Sequence, residues 1–260
     1  MKAKKRFGQN FLHDPNIVQK IIHAANPRAD DIFCEIGPGH GAITGELVDK
    51  VGQLHLVELD SDLIPGLEEK YGDRPHVHIH HQDALKLKIH QLAGGRKVRV
   101  IGNLPYNVST PLLIHLLKQA GHIEDMLFML QKEVVTRVAA QPGGRDYGRL
   151  SVMLQHRLDL HPLFVVKPGS FYPAPQVDSQ MIRLAPKEAP PVVDFGSLEA
   201  VVRQAFSQRR KTLRNNLKGL CPVACLEALG LDPRQRPETV SVSQYVKLTN
   251  ALPHPISERS

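Results

Sequence analysis

Ile32-Phe33-Cys34-Glu35-Ile36-Gly37-Pro38-Gly39-His40-Gly41 decides the fold. Residues 32–36 read as a strand, and the glycines after them let the backbone turn sharply into a helix expected over 41–51. The same rhythm repeats outward. Residues 53–59, 77–80, 98–101 and 126–130 read as strands, mostly apolar on both faces, as in a parallel sheet covered by helices on each side. Residues 63–71 and 110–119 read as helices between them, the second with Pro111 in its first turn and Ser109 or Thr110 placed to cap it. Farther on, 158–167 and 177–184 flank the Pro-rich loop 168–175 and read as antiparallel strands closing one sheet edge. The stretch 185–191 is a stiff linker by composition, and beyond it 196–206, 212–218, 222–229 and 243–252 read as helices. The expected fold class is α/β: a doubly wound, mostly parallel sheet over 1–185, then a small α-helical domain over 192–260.

The 260 residues are 42% hydrophobic and 23% charged, which excludes wholesale disorder. No apolar run is long enough to span a membrane, and the basic start Met1–Arg6 leads into Phe7-Gly8-Gln9-Asn10 rather than a signal-peptide core, so a cytoplasmic protein without a membrane partner is expected. Cys34, Cys221 and Cys225 are then reduced thiols. Net charge is +7. Its distribution is uneven: residues 1–180 carry 21 basic and 19 acidic side chains, residues 181–260 carry 12 and 7. Arg203, Arg209, Arg210, Lys211, Arg214 and Lys218 form one run without an acid, and Lys2, Lys4, Lys5 and Arg6 another. Such patches suit a polyanion such as nucleic acid, although a solvated helix face has the same composition.

Three features fall at C-terminal strand ends, the edge along which open α/β sheets bind ligands. Gly37 and Gly39 leave room for a ligand to approach main-chain atoms. Glu58 ends the second strand about 20 residues on, where a carboxylate can accept ribose hydroxyls. Asp83 follows the third. Gly37, Gly39 and Ala42 also satisfy the dinucleotide fingerprint, so these residues alone leave a nicotinamide cofactor open. His76, His78 and His80 share a strand face but have no closing Cys or carboxylate, and they read as ordinary strand histidines; no metal is expected.

Asn103-Leu104-Pro105-Tyr106 follows the fourth strand at the same edge. The exocyclic amine of adenine is a poor nucleophile because its lone pair is delocalised into the ring. The Asn103 carboxamide oxygen and the Leu104 carbonyl can accept its two protons and favour a pyramidal nitrogen, with preorganised dipoles meeting the charge that develops on methylation. Pro105 biases Leu104 toward an extended backbone that aims its carbonyl, and Tyr106 offers a face for an extruded base. Hydride transfer has no use for this arrangement.

With Lys5-Arg6-Phe7-Gly8-Gln9-Asn10-Phe11-Leu12, Glu35–Gly39, Glu58, Asp83, Asn103–Tyr106, Tyr147-Gly148-Arg149-Leu150-Ser151, residues 168–179 and Phe206-Ser207-Gln208-Arg209-Arg210-Lys211 in this order, the chain resembles the S-adenosylmethionine-dependent rRNA adenine N6-dimethyltransferases over nearly its whole length. The bacterial small-subunit (kasugamycin-sensitivity) branch is the nearest likeness. The resemblance implies a Rossmann-like class I methyltransferase fold with an N-terminal segment, 1–12, that covers the cofactor. It implies that Asn10 and Leu12 close over the methionine end, Gly37 shapes the turn beneath, Glu58 takes the ribose hydroxyls, Asp83 takes the cofactor's adenine amine, and Asn103 bridges cofactor and substrate. Phe171 would stack on the flipped adenine opposite Tyr106, unless it is a core plug beneath the hairpin.

The implied reaction is dimethylation of two adjacent adenosines in a hairpin loop near the 3′ end of small-subunit rRNA, within the small ribosomal subunit, by a monomeric enzyme, and the resemblance also implies a checkpoint role in subunit assembly. Lys4, Lys5, Arg6, Arg209, Arg210, Lys211 and Arg214 would grip rRNA phosphates. Three alternatives stand beside this: a large-subunit dimethyltransferase of the antibiotic-resistance type, a nicotinamide oxidoreductase, and a catalytically idle ribosome-assembly factor.

Overall fold

A computed structural model describes residues 9–252. Contacts divide the chain into two units: residues up to Val135 with Leu160–Pro186, and Thr136–Asp159 with everything from Lys187 on.

The first unit is built on a seven-stranded sheet. Its elements are β1 (Phe11–Leu12), α1 (Pro15–Ala25), β2 (Ile32–Ile36), α2 (Thr44–Leu47), β3 (Gln53–Glu58), α3 (Ile64–Tyr71), β4 (Val77–His81), β5 (Val98–Asn103), α4 (Ser109–Leu117) and β6 (Ile123–Gln131). After β6 come α5 (Lys132–Ala139) and α6 (Arg149–Arg157), then β7 (Leu158–Val166), β8 (Phe171–Tyr172) and β9 (Ser179–Pro186). The sheet runs β4-β3-β2-β5-β6-β9-β7. Pairs from β4 through β6 are parallel, and β9 joins β6 antiparallel. The chain steps outward from β2 to β3 and β4, then returns to place β5 on the other side of β2. That reversal splays the loops after β2 and β5 apart and opens a crevice there. All five residues of β2 and five of the six in β3 are buried, as expected of strands covered on both faces.

The expected helix over 41–51 shrinks to the single turn of α2, because Gly41 at φ +85° starts the segment outside helical geometry. Sequence reading missed α1, although Asp14 caps it by accepting from Asn16 N (3.0 Å), Pro15 opens it, and Val18, Ile21, Ile22 and Ala25 recur on its buried face. Arg99 holds this end of the sheet together. It bridges Asp31 and Asp125 at 2.8 Å each and donates to the Ala25 carbonyl (2.7 Å) at the end of α1.

The second unit differs from the expected division at 185–192. Residues 136–159 group with the C-terminal helices α7 (Phe195–Ala205), α8 (Leu213–Asn216), α9 (Val223–Ala228) and α10 (Val242–Ala251). The reason is a set of aromatic and ionic contacts between residues far apart in sequence. Tyr147 is buried against Phe206 (centroids 6.5 Å), which meets Tyr245 (5.9 Å), and Arg149 pairs with Glu199 at 2.7 Å. In the basic run Arg203 lies in the last turn of α7 and Arg214 in α8, while Arg209, Arg210 and Lys211 fall on the turn between those two helices. Asn216 is buried and donates to the carbonyls of Ala205 (2.6 Å) and Gln208 (3.1 Å), which fixes that turn and leaves all six basic side chains exposed. The three cysteines are free thiols, and no helix among the described residues is long and apolar enough to cross a membrane.

Candidate active site

The crevice at the strand-order reversal is an open cleft with about 150 Å³ of space for ligand atoms. Asn10, Leu12, Gly37, Glu58, Asp83, Asn103, Leu104, Pro105 and Tyr106 all line it. They arrive from the ends of four parallel strands and from β1.

On one side lies the turn after β2. Gly37 N donates to Val57 O (2.9 Å), which ties the turn to β3. Gly39 sits at φ +60°, and a Cβ there would come within 3.0 Å of the Phe11 ring, whose centroid lies 4.4 Å from that of His40. Glu58 is aimed by main-chain donors: Gly39 N reaches one carboxylate oxygen (3.2 Å), and Leu59 N and Asp60 N reach the other (2.9 Å each). Burial raises its pKa, while these three donors pull the other way. Asp83 accepts from Leu85 N (2.9 Å) through Oδ1.

Two acids on this side escaped sequence reading. Asp60 is buried and accepts from Gln9 Nε2 (3.0 Å), which fastens the N-terminal segment to the end of β3. Glu35 is buried beneath the glycine turn and accepts from Thr44 Oγ1 (2.6 Å). Burial pushes its pKa up to about 7, against the Thr44 hydrogen bond and with the Glu58 charge.

Across the cleft lies the end of β5. Gly102 lets β5 approach β2, since a Cβ there would run into the Ile36 carbonyl. Asn103, the last strand residue, donates from Nδ2 to the Asn10 carbonyl (2.8 Å), which turns Oδ1 the other way. Leu104 N donates to Met129 O (3.1 Å), and its side chain is buried while its backbone borders the cleft. The half-buried Tyr106 has its hydroxyl 3.0 Å from Ser179 Oγ, so the ring is held at both ends.

Phe171 is elsewhere. It is 3% exposed, belongs to the hydrophobic core with Leu12, and does not line the cleft. β8 pairs Phe171 with Leu12, and both side chains join the core, which favours the core-plug reading of Phe171 over stacking on a flipped base. Lys4, Lys5 and Arg6 lie outside the described residues. Arg209, Arg210, Lys211 and Arg214 belong to the second unit and are exposed. Among the strand histidines, His55 stacks on His78 and His80, with Nδ1 of His55 3.0 Å from Nε2 of His80. Among the described residues no three His, Cys, Asp or Glu side chains converge to hold a metal ion.

Residues 1–253 match the family described as Ribosomal RNA adenine dimethylase. The chain belongs to that family. It is 53% identical over 251 residues to "Ribosomal RNA small subunit methyltransferase A" of Nitrosococcus oceani, covering 95% of each chain. Among solved structures it resembles a dimethyladenosine transferase from Plasmodium falciparum (26% identity, TM-score 0.80, 92% of this chain and 95% of that one). It also resembles the 23S rRNA methyltransferase ErmE (26% identity, TM-score 0.71, 94% and 99%). The fold is the Rossmann-like one of class I methyltransferases, and the chain is an S-adenosylmethionine-dependent methyltransferase of the family. The cleft fits that cofactor. A Cβ at Gly37 (φ +67°) would meet nothing nearer than the Asn103 carbonyl at 3.9 Å, so the missing side chain leaves space between the two sides for a ligand. A carboxylate fixed by three main-chain donors and a second carboxylate at the next strand end suit ribose hydroxyls and an amine.

Proposed function

We propose that this chain dimethylates the N6 amines of two adjacent adenosines in a hairpin loop near the 3′ end of small-subunit rRNA, acting as a cytoplasmic monomer on the assembling small ribosomal subunit. What carries the reading is the anchoring of Asn103: its amide nitrogen is committed to the Asn10 carbonyl, so its oxygen and the Leu104 carbonyl remain as acceptors beside the fixed ring of Tyr106. The 53% identity to a protein named as a small-subunit methyltransferase, against 26% to ErmE, favours the small-subunit substrate over the large.

Bound S-adenosylmethionine supplies an electrophilic methyl carbon. Glu58 and Asp83 hold the ribose and adenine ends, Gly37 lets the ligand lie against the main chain, and Asn10 and Leu12 cover it. On the other side the Tyr106 ring receives the extruded adenine. Asn103 Oδ1 and the Leu104 carbonyl accept the two N6 protons and localise the lone pair on nitrogen. As the N–C bond formed and the donor's S–C bond broke, its electron pair would stay on sulfur and S-adenosylhomocysteine would leave; N6 would become cationic, and the two oxygen dipoles would meet that charge without reorganising. The cationic amine is acidic enough to lose a proton to water, so no side-chain base is required. A second round, with a fresh S-adenosylmethionine and the one remaining N6 proton held, would complete each adenosine. Arg209, Arg210, Lys211 and Arg214, with Lys4, Lys5 and Arg6, neutralise rRNA phosphates and position the loop.

The test is incubation of unmethylated small subunits with methyl-labelled S-adenosylmethionine, followed by mapping of the label. Two dimethyladenosines near the 3′ end are expected. Label confined to large-subunit rRNA would move the substrate to the other subunit, and no label on either rRNA would end the enzymatic reading.

A further inference from the structure

The two-residue ladder between β1 and β8 sorts four side chains onto two faces. Residues directly opposite across an antiparallel pair point the same way, and successive residues alternate. Leu12 and Phe171 are opposite each other and both enter the core. Phe11 and Tyr172 are opposite each other on the reverse face. Phe11 lines the cleft, its ring against Gly39 and His40. Tyr172 therefore stands on Phe11's face of the ladder, 70% exposed, and no Phe or other Tyr among the described residues is left so open.

The segment that carries this ring is clamped. His13 N donates to the Ser170 carbonyl (3.0 Å), Ser170 Oγ donates to Asp14 Oδ2 (3.0 Å), and Lys167 pairs with Asp178 (2.8 Å). A large flat side chain on a fixed backbone that leaves most of its surface in solvent contributes little to folding. It suits stacking, because the ordering that stacking requires is already in place.

We propose that Tyr172 is a stacking platform for a nucleobase next to the adenine held at Tyr106, and so a positioning residue for the RNA. This rests on the rRNA reading above. Stacking is tolerant of base identity, so the site would take any unpaired nucleotide of a single-stranded loop and exclude a duplex.

The test uses the full chain, labelled S-adenosylmethionine and an rRNA fragment carrying the 3′-terminal hairpin. Tyr172→Ala should raise KM for the fragment about 10-fold or more, in line with the cost of removing one stacked base. Its kcat and its affinity for S-adenosylmethionine should stay at wild-type values, and Tyr172→Phe should restore KM. The chain contains no tryptophan, so Tyr172→Trp places a single reporter whose emission should be quenched when the fragment binds. An unchanged KM in Tyr172→Ala, a Phe variant as impaired as Ala, or a Trp emission indifferent to saturating fragment overturns the proposal. A wild-type chain that transfers no methyl to RNA overturns instead the reading beneath it.

Discussion

The two sides of the cleft are made differently. The β2–β3–β4 side is main chain with carboxylates: Glu58 is already satisfied by the amides of Gly39, Leu59 and Asp60, and Asp83 by that of Leu85. On the β5 side Asn103 Nδ2 is tied to the Asn10 carbonyl, Leu104 N to the Met129 carbonyl and the Tyr106 hydroxyl to Ser179, and under the proposed function the Asn103 and Leu104 oxygens are the two acceptors left for the base. A side whose groups are fixed by internal hydrogen bonds binds a ligand without reordering; a side that leaves acceptors unmet is poised for a charge that exists only during reaction. Damage to the first should therefore appear in donor affinity, and damage to the second in turnover.

Asn103→Ala breaks this contrast most sharply. It removes one of the two acceptors, and about a 10²–10³-fold fall in kcat is expected, the range for losing one preorganised dipole. Single-turnover rates at saturating cofactor measure it; rRNA affinity should stay within a few-fold. Retained turnover would mean that the amine is handled elsewhere. Next comes the triple reversal Arg209→Glu, Arg210→Glu, Lys211→Glu, outside the cleft altogether. Three lost phosphate contacts should flatten the log–log salt dependence of rRNA binding by about 2–3 and weaken binding strongly at low salt. Affinity equal to wild type at low salt would remove the exposed turn from the RNA interface. Glu58→Gln should raise the Kd for S-adenosylmethionine about 10–100-fold by calorimetry, as for loss of a charged hydrogen-bond acceptor, with kcat at saturation nearly intact. A fall in kcat with unchanged Kd would erase the distinction between the sides.

The sheet was legible because its strands are apolar on both faces and end in Gly, Glu, Asp and Asn at the edge where ligands bind. Gly37, Glu58, Asp83 and Asn103–Tyr106 could be named from those strand ends, whereas Asn10 and Leu12 came from the family resemblance. What stayed hidden depended on contacts distant in sequence. Nothing local marks Tyr147 as a partner of Phe206 and Tyr245, so residues 136–159 could not be assigned to the helical unit. Asp60 and Glu35 sit beside motif residues but take part through Gln9 and Thr44, at sequence separations of 51 and 9. Phe171 and Tyr172 are adjacent aromatics, and only strand register decides which one turns inward. By contrast α1 was readable, since Asp14-Pro15 followed by apolar residues at helical spacing is a local signal.

The smallest effect on catalysis, and the only one on stability, concerns Glu35. Its carboxyl titrates at about 7 in the folded protein because burial disfavours the anion, whereas an unfolded chain releases that proton near 4.5. Between those values the folded state holds a proton that the unfolded state lacks, so this group's contribution to stability falls as pH rises. Buried His55 and His156, both lowered to about 4, act in the opposite sense: below their ordinary 6.5 the unfolded state binds the extra protons, and stability is lost as pH falls. A difference measurement separates the two. Glu35→Gln keeps an oxygen for Thr44 and removes the charge, so its stability relative to wild type should rise by about 2 kcal/mol from pH 5 to pH 7, read by denaturant unfolding at each pH. The histidines are common to both chains and cancel. The Tyr106 phenol on the β5 side, raised above its usual 10, adds nothing in this window. Any pH dependence of the cleft near neutrality then belongs to the side that binds the donor, and a Glu35→Gln difference flat with pH would show that this carboxyl is ionised in the folded protein throughout.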